Sequence, residues 1–360
     1  MVARDHGRRE EQAALARAIA DDLRTQAALI GPRRLASVFF GGGTPSLMDP
    51  AWAAELLALA RALWPAGDTP VEVSLEANPT GAEADRFAAF AAAGVDRLSL
   101  GVQALDDASL AFLGRTHTAA EGRTALAAAC AAFPRVSLDL IYARPGQTSA
   151  AWAAELREAV ALGAEHLSPY QLTIEAGTPF DRAVRRGRWT PADPDLAADL
   201  YEVTQEVLEG AGFDAYEVSN HARGLAAQSR HNLGAWRGED YVGVGPGAHG
   251  RLTLPSGRVA TAASPRVADY VARVRETGVG HPAPEPLDAR DIAEERLLMG
   301  LRTTEGVRWT ELATLGLGPG ADRVRQLAEL GLLRADTDRV AATARGRLVL
   351  DRLTAELALG

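Results

Sequence analysis

Between residues 36 and 171 the chain repeats one pattern: a short apolar run, a polar residue where the run ends, then a segment with helical spacing. The runs are 36–40, 71–76, 97–102, 136–141 and 166–171, and the helical segments are 10–29, 50–64, 80–93, 118–132 and 149–162. Asp49 and Pro50 open the second of these helices as cap and first residue. Short strands separated by helices pair in parallel, because a parallel neighbour needs a crossover connection and a helix is the compact one. The polar residues Thr44, Glu76, Gln103, Asp139 and Gln171 fall where strands end. In parallel α/β folds that edge is where ligands bind. The pattern therefore predicts an α/β fold with one polar mouth.

Past residue 180 the pattern loosens. Arg182–Arg188 is a basic run; a helix at 195–210 and a strand at 214–218 follow, then a glycine- and aromatic-rich stretch at 231–249. The proline-rich segment 278–288 reads as a linker. Helices at 290–301, 309–314 and 321–330, a short hairpin at Leu332-Leu333 and Val340, and a final helix at 343–358 resemble a winged-helix-like unit. The expected domains are 1–180, 181–280 and 290–360.

Composition narrows the function classes. The 38 basic and 47 acidic residues leave a net charge of −9, which disfavours a nucleic-acid partner. Hydrophobic residues at 47 % supply a large core. No stretch reads as a membrane span or a secretory leader. The single cysteine, Cys130, cannot close an internal disulfide, and a cytoplasmic protein is expected. Cys130 sits among alanines and reads as a buried small residue.

Several segments together resemble a known family. They are Gly41-Gly42-Gly43-Thr44-Pro45-Ser46, Glu76-Ala77-Asn78-Pro79, Arg97 through Gln103, Leu113-Gly114-Arg115-Thr116-His117 and Asp139-Leu140-Ile141. In this order and spacing they resemble the HemN/HemW family of radical S-adenosylmethionine (SAM) proteins, which covers oxygen-independent coproporphyrinogen III oxidases and HemW-type heme chaperones. His231-Asn232-Leu233-Gly234-Ala235-Trp236 is similar to the His-Asn-x-x-Tyr-Trp motif of the HemW branch, with Ala235 in the tyrosine position. The resemblance implies a partial (β/α) radical SAM barrel with a HemN-type C-terminal domain. The family's Cys-x-x-x-Cys-x-x-Cys loop and its first strand have no counterpart here. The expectation is a chain that starts downstream of them, cleaves no SAM reductively and is poorly soluble when expressed alone.

The resemblance also assigns residues. Gly42, Gly43 and Thr44 would contact SAM, with a tight turn as the alternative. Glu76 and Asp139 would accept hydrogen bonds from ribose hydroxyls, or else serve in caps or ion pairs. Gln103 and Arg115 are similar to residues that hold the amino-acid part of a second SAM; a surface ion pair is equally open for Arg115. His231 would ligate heme iron, with His117 and His249 as competitors. Trp236 and Tyr241 could stack on a porphyrin or simply pack. Arg182–Arg188 could meet propionates or face solvent. The implied function is binding heme and passing it to an acceptor protein, on a scaffold that in complete form carries SAM and a 4Fe-4S cluster. The alternative is oxidative decarboxylation of coproporphyrinogen III.

Overall fold

The computed structural model describes residues 2–80 and 84–358, with side chains from residue 10 onward. Its first half runs α1 (Val2–Ile30), β1 (Ser37–Phe40), α2 (Pro50–Leu63), β2 (Glu72–Ala77), α3 (Ala84–Ala92), β3 (Arg97–Gln103), α4 (Asp107–Phe112), α5 (Ala119–Ala132), β4 (Arg135–Tyr142), α6 (Ser149–Ala161) and β5 (His166–Gln171). Then come α7 (Pro179–Arg185), α8 (Pro194–Gly210), β6 (Asp214–Ala215), β7 (His221–Ala222) and α9 (Arg230–Trp236). They are followed by β8 (His249–Leu254), β9 (Gly257–Ala262), α10 (Val267–Thr277) and β10 (Glu285–Pro286). The chain closes with α11 (Ala289–Gly300), β11 (Val307–Arg308), α12 (Trp309–Leu312), α13 (Asp322–Glu329), β12 (Leu333–Ala335), β13 (Arg339–Ala342), α14 (Ala344–Arg347) and α15 (Leu350–Ala358).

The chain divides into two compact units: Phe39–Leu47 with Val73–Ser229, and Met1–Val38 with Met48–Glu72 and Arg230–Gly360. The seven-stranded sheet has the order β1-β2-β3-β4-β5-β7-β6, with β2 to β5 parallel and β7 antiparallel to both neighbours. This is the expected α/β class. Period-two alternation gives the sheet two unlike faces. Val73, Leu75, Leu98, Leu100, Val102, Val136, Leu138 and Leu140 are buried on one. Each such side chain contributes on the order of 1.5–3 kcal/mol. The helices add Phe87 and Phe90 from α3, Leu126 from α5, and Trp152, which stacks on Tyr142 at 5.4 Å. The other face carries Ser74, Glu76, Arg97, Ser99, Ser137, Asp139, His166 and Ser168.

Local chemistry sets the helix starts. Asp49 accepts the N–H of Ala51 ahead of Pro50, and Thr118 and Glu121 form a reciprocal capping box at the start of α5. In the second unit α1 packs on α2 and α10. Leu23, Ile30, Ala60, Trp64, Leu252 and Val259 make one cluster; Ala18, Ala263, Tyr270 and Val274 make another. The buried Asp22 accepts from Tyr270 Oη at 2.7 Å and from Gln26 at 2.9 Å, so neither acceptor oxygen is left without a donor. At the C-terminus helices α11 to α15 accompany a small sheet of order β11-β13-β12.

Some expectations need correction. The strand expected at 214–218 stops at Ala215, because the chain turns so that β7 can pair with β6 and β5. The segment 278–288 is not a plain linker: Glu285 and Pro286 pair with β9 at a sheet edge, where proline is tolerated. The helix expected at 343–358 is broken into α14 and α15. At Gly346 a Cβ would sit 2.0 Å from the Leu332 carbonyl oxygen, so only glycine fits that approach. Cys130 is exposed rather than buried, because it falls on the outer side of α5.

Candidate functional site

The loop after β1 reaches the mouth of the sheet. Gly42 and Gly43 have φ of +80° and +65°, the left-handed region that glycine enters without strain, and open space surrounds both where a Cβ would stand. Gly42 N–H donates to Glu76 Oε2 at 3.1 Å. Thr44 begins the next turn, its carbonyl accepting from Leu47 N at 3.0 Å. The loop and the end of β2 are thereby tied together.

The ladder sets further polar residues alongside, with Asp139 inside β4 rather than at the strand end expected for it. Glu76 pairs in register with Ser99, and Gly101 with Asp139. Between Gly101 and Gln103 the register shifts, and Gln103 has φ of +74°. A non-glycine residue there stores backbone strain, and such strain gathers at binding sites. A Cβ on Gly101 would lie 2.6 Å from Gln103 Nε2 and 2.9 Å from Asn78 Oδ1, so the glycine makes room for both amides. Arg115 Nη1 donates to Asn78 Oδ1 at 3.2 Å. Burial lowers the Arg115 pKa, and among the described residues Arg115 has no ion pair with a carboxylate. Asn78 is a member of this group that the sequence reading quoted but did not select. Gln171 lies on the opposite parity from Ser168 and Tyr170 and is exposed.

Asp139 is the most heavily solvated by protein groups. Ser99 Oγ donates to it at 2.9 Å and 3.1 Å, and Ser137 Oγ at 3.0 Å. Burial outweighs these donors and nearby Arg97, pushing the carboxyl up to about 6. Glu217, in the turn between β6 and β7, is buried and pushed up to about 7 by desolvation, despite accepting from Ser219 N at 3.1 Å. Glu76, Gln103 and Asp139 thus lie on adjacent parallel strands, with the glycine loop tied to Glu76 and Arg115 to Asn78.

The second unit holds the histidine motif. His231 lies in the first turn of α9. The Glu72 carboxylate accepts Arg230 N–H at 3.1 Å and His231 N–H at 3.0 Å, and Ser37 Oγ lies 3.5 Å from His231 Nδ1. His117 is buried and bonded to the Val102 carbonyl at 3.0 Å, a structural role. His249 is exposed at the start of β8. Trp236 ends α9, and its carbonyl accepts from Arg296 at 2.7 Å. Ala235 and Tyr241 line a cavity of about 20 Å³ with Arg251, Ile292 and Met299. That is space for about one water and not for a tetrapyrrole. Arg182, Arg185, Arg186 and Arg188 are exposed.

Cluster chemistry is a separate matter. The lone thiol sits on the outer side of α5, and among the described residues no three His, Cys, Asp or Glu converge to hold a metal. The described residues do not fit a cysteine-held iron–sulfur cluster.

The parallel sheet, the glycine loop at its mouth and the polar strand ends define a radical SAM-type α/β protein. Residues 16–159 match the model of the radical SAM superfamily, and residues 287–349 that of the HemN C-terminal domain. The chain is 41 % identical over 361 residues to the bovine (Bos taurus) radical S-adenosyl methionine domain-containing protein 1, mitochondrial, covering 96 % of this chain and 81 % of that protein. It is 38 % identical over 346 residues to the heme chaperone HemW of Mycobacterium tuberculosis (94 % and 85 % covered). Against HemW of Escherichia coli K12 it is 40 % identical over 242 residues (66 % and 62 % covered). The structure of E. coli coproporphyrinogen III oxidase, HemN, superposes with a TM-score of 0.76 at 22 % identity, over 97 % of this chain and 84 % of that one, a likeness of fold. The chain belongs to the HemN/HemW family of radical SAM proteins.

Proposed function

We propose that this protein binds heme through His231 and delivers it to an acceptor protein, and that the polar mouth binds the SAM nucleoside and amino acid. The observation that carries the heme reading is the anchored His231: Glu72 accepts its backbone N–H at 3.0 Å and Ser37 Oγ lies 3.5 Å from Nδ1, which orients an imidazole of the kind that ligates heme iron. Relatives named as heme chaperones align over nearly the whole chain, which supports the same reading.

For SAM, the open backbone at Gly42 and Gly43 admits close approach, and Glu76 and Asp139 offer acceptors for ribose hydroxyls. Arg115, half-buried beside the Asn78 amide, offers a fork for a carboxylate. Bound SAM would supply a sulfonium whose fate depends on an electron donor; these side chains hold and orient it. The half-buried Trp236 and Tyr241 are assigned no role. Among the described residues no helix is long and apolar enough to cross a membrane. On the single cysteine we place the protein in the cytoplasm.

The test is transfer. Heme-loaded protein mixed with an apo-globin as acceptor should lose its heme spectrum as the globin gains one, with no decarboxylation of coproporphyrinogen III in parallel. Decarboxylation without transfer would replace this reading with the oxidase.

A further inference from the structure

Beneath the mouth, Asp139 is the end of a buried chain of side chains that the functional reading does not use. Ser137 Oγ lies 3.0 Å from Asp139 Oδ1 and 2.7 Å from His166 Nδ1, and His166 Nε2 lies 2.7 Å from Tyr216 Oη. Ser229 N–H donates to Tyr216 Oη at 3.2 Å. Ser137, His166 and Tyr216 are all buried.

Proton counting sets the direction. An ionised Asp139 only accepts, so Ser137 spends its one proton on it. Ser137 Oγ must then accept from its other neighbours, Ser168 Oγ at 2.9 Å and His166 Nδ1. His166 Nδ1 therefore carries a hydrogen. Burial, with Arg97, Arg135 and His221 nearby, holds the His166 pKa well below the usual value, so the ring is neutral and Nε2 is bare. Nε2 accepts, and Tyr216 donates.

We propose that Tyr216, His166 and Ser137 are positioning residues: a hydrogen-bond chain running one way, from Tyr216 through His166 and Ser137 to Asp139, that locks His166 as its neutral Nδ1–H tautomer and aims the Asp139 carboxylate at a ligand hydroxyl pair. The aim at a ligand rests on the nucleoside reading above; the chain itself does not. The other groups facing Asp139 are Arg97 and Ser99 on β3 and Ser168 and Tyr170 on β5. A merely packed histidine would accept either tautomer. Here the wrong one sets two lone pairs against each other at Ser137.

The test is the ring spectrum of His166 in ¹⁵N-histidine-labelled full-length protein, assigned with His166→Gln. The expected result is a neutral ring in the Nδ1–H tautomer at about pH 7 to 8, where Asp139 is ionised. An Nε2–H ring, or an imidazolium at neutral pH, overturns the proposal. A second arm uses Tyr216→Phe, which keeps the ring and removes the donor. It should raise the midpoint of the Asp139 carboxyl ¹³C titration and weaken SAM binding by calorimetry about fivefold. If Asp139→Asn abolishes SAM binding while Tyr216→Phe changes neither readout, the chain does not position Asp139 and the proposal fails, though the nucleoside reading stands. If Asp139→Asn leaves SAM affinity unchanged, the ligand purpose fails instead, and the ring spectrum alone decides the chain.

Discussion

Glu72 holds His231 by its backbone: the buried carboxylate accepts the His231 N–H at 3.0 Å and that of Arg230 at 3.1 Å. Both residues belong to one unit, although 158 positions separate Glu72 from Arg230. Charge-assisted bonds to buried N–H groups are among the stronger ones. Glu72→Gln keeps the shape and loses the charge. It should cost about 1–3 kcal/mol of stability. It should also weaken heme binding, read by Soret titration at a temperature where both proteins are folded.

Gly101 makes room for the Gln103 and Asn78 amides. A methyl at position 101 meets Gln103 Nε2 at 2.6 Å and Asn78 Oδ1 at 2.9 Å. Gly101→Ala should displace the Gln103 side chain, and through Asn78 the Arg115 guanidinium. The expected outcome is a SAM affinity reduced tenfold or so, since two hydrogen-bonding groups move. Calorimetric titration against wild type checks it, with thermal melting to show that the fold persists.

Glu217 gives a pH dependence with a definite sign. Its folded pKa is raised to about 7 from 4.5, so the folded state holds the proton more tightly than the unfolded state does. Stability from this group is therefore greatest at low pH and falls as pH rises between those values. Glu217→Gln should stabilise the protein at pH 8 by about 2–3 kcal/mol. The gain should shrink below about pH 7 and vanish below about pH 4.5. Denaturant melts at pH 8 and pH 4.5 test the crossing.

Much of the scaffold was legible because local signals agreed with the global pattern. Asp49-Pro50 and Thr118-Glu121 announce helix starts, and the alternation in Arg97–Gln103 announces a strand with unlike faces. The polar face of the sheet has a local signal too: Ser99, Ser137, His166 and Ser168 fall at alternate positions of their strands, next to apolar residues. The β8–β9 hairpin turns at Pro255-Ser256-Gly257, a short turn signal just past the glycine-rich stretch. Other features have no local signal. The left-handed backbone of Gln103 comes from a register shift against β4. The Glu72–His231 contact joins distant segments. Whether Cys130 faced inward depended on the phase of an alanine-rich helix, where apolar periodicity is too weak to set a side.

The most direct measurement is a stoichiometric heme titration of the wild type and His231→Ala, with His249→Ala as the control. The account predicts one heme per chain with a shifted Soret band in the wild type and in His249→Ala. His231→Ala, still folded by circular dichroism, should lose that band. A His231→Ala protein that titrates like the wild type would contradict it.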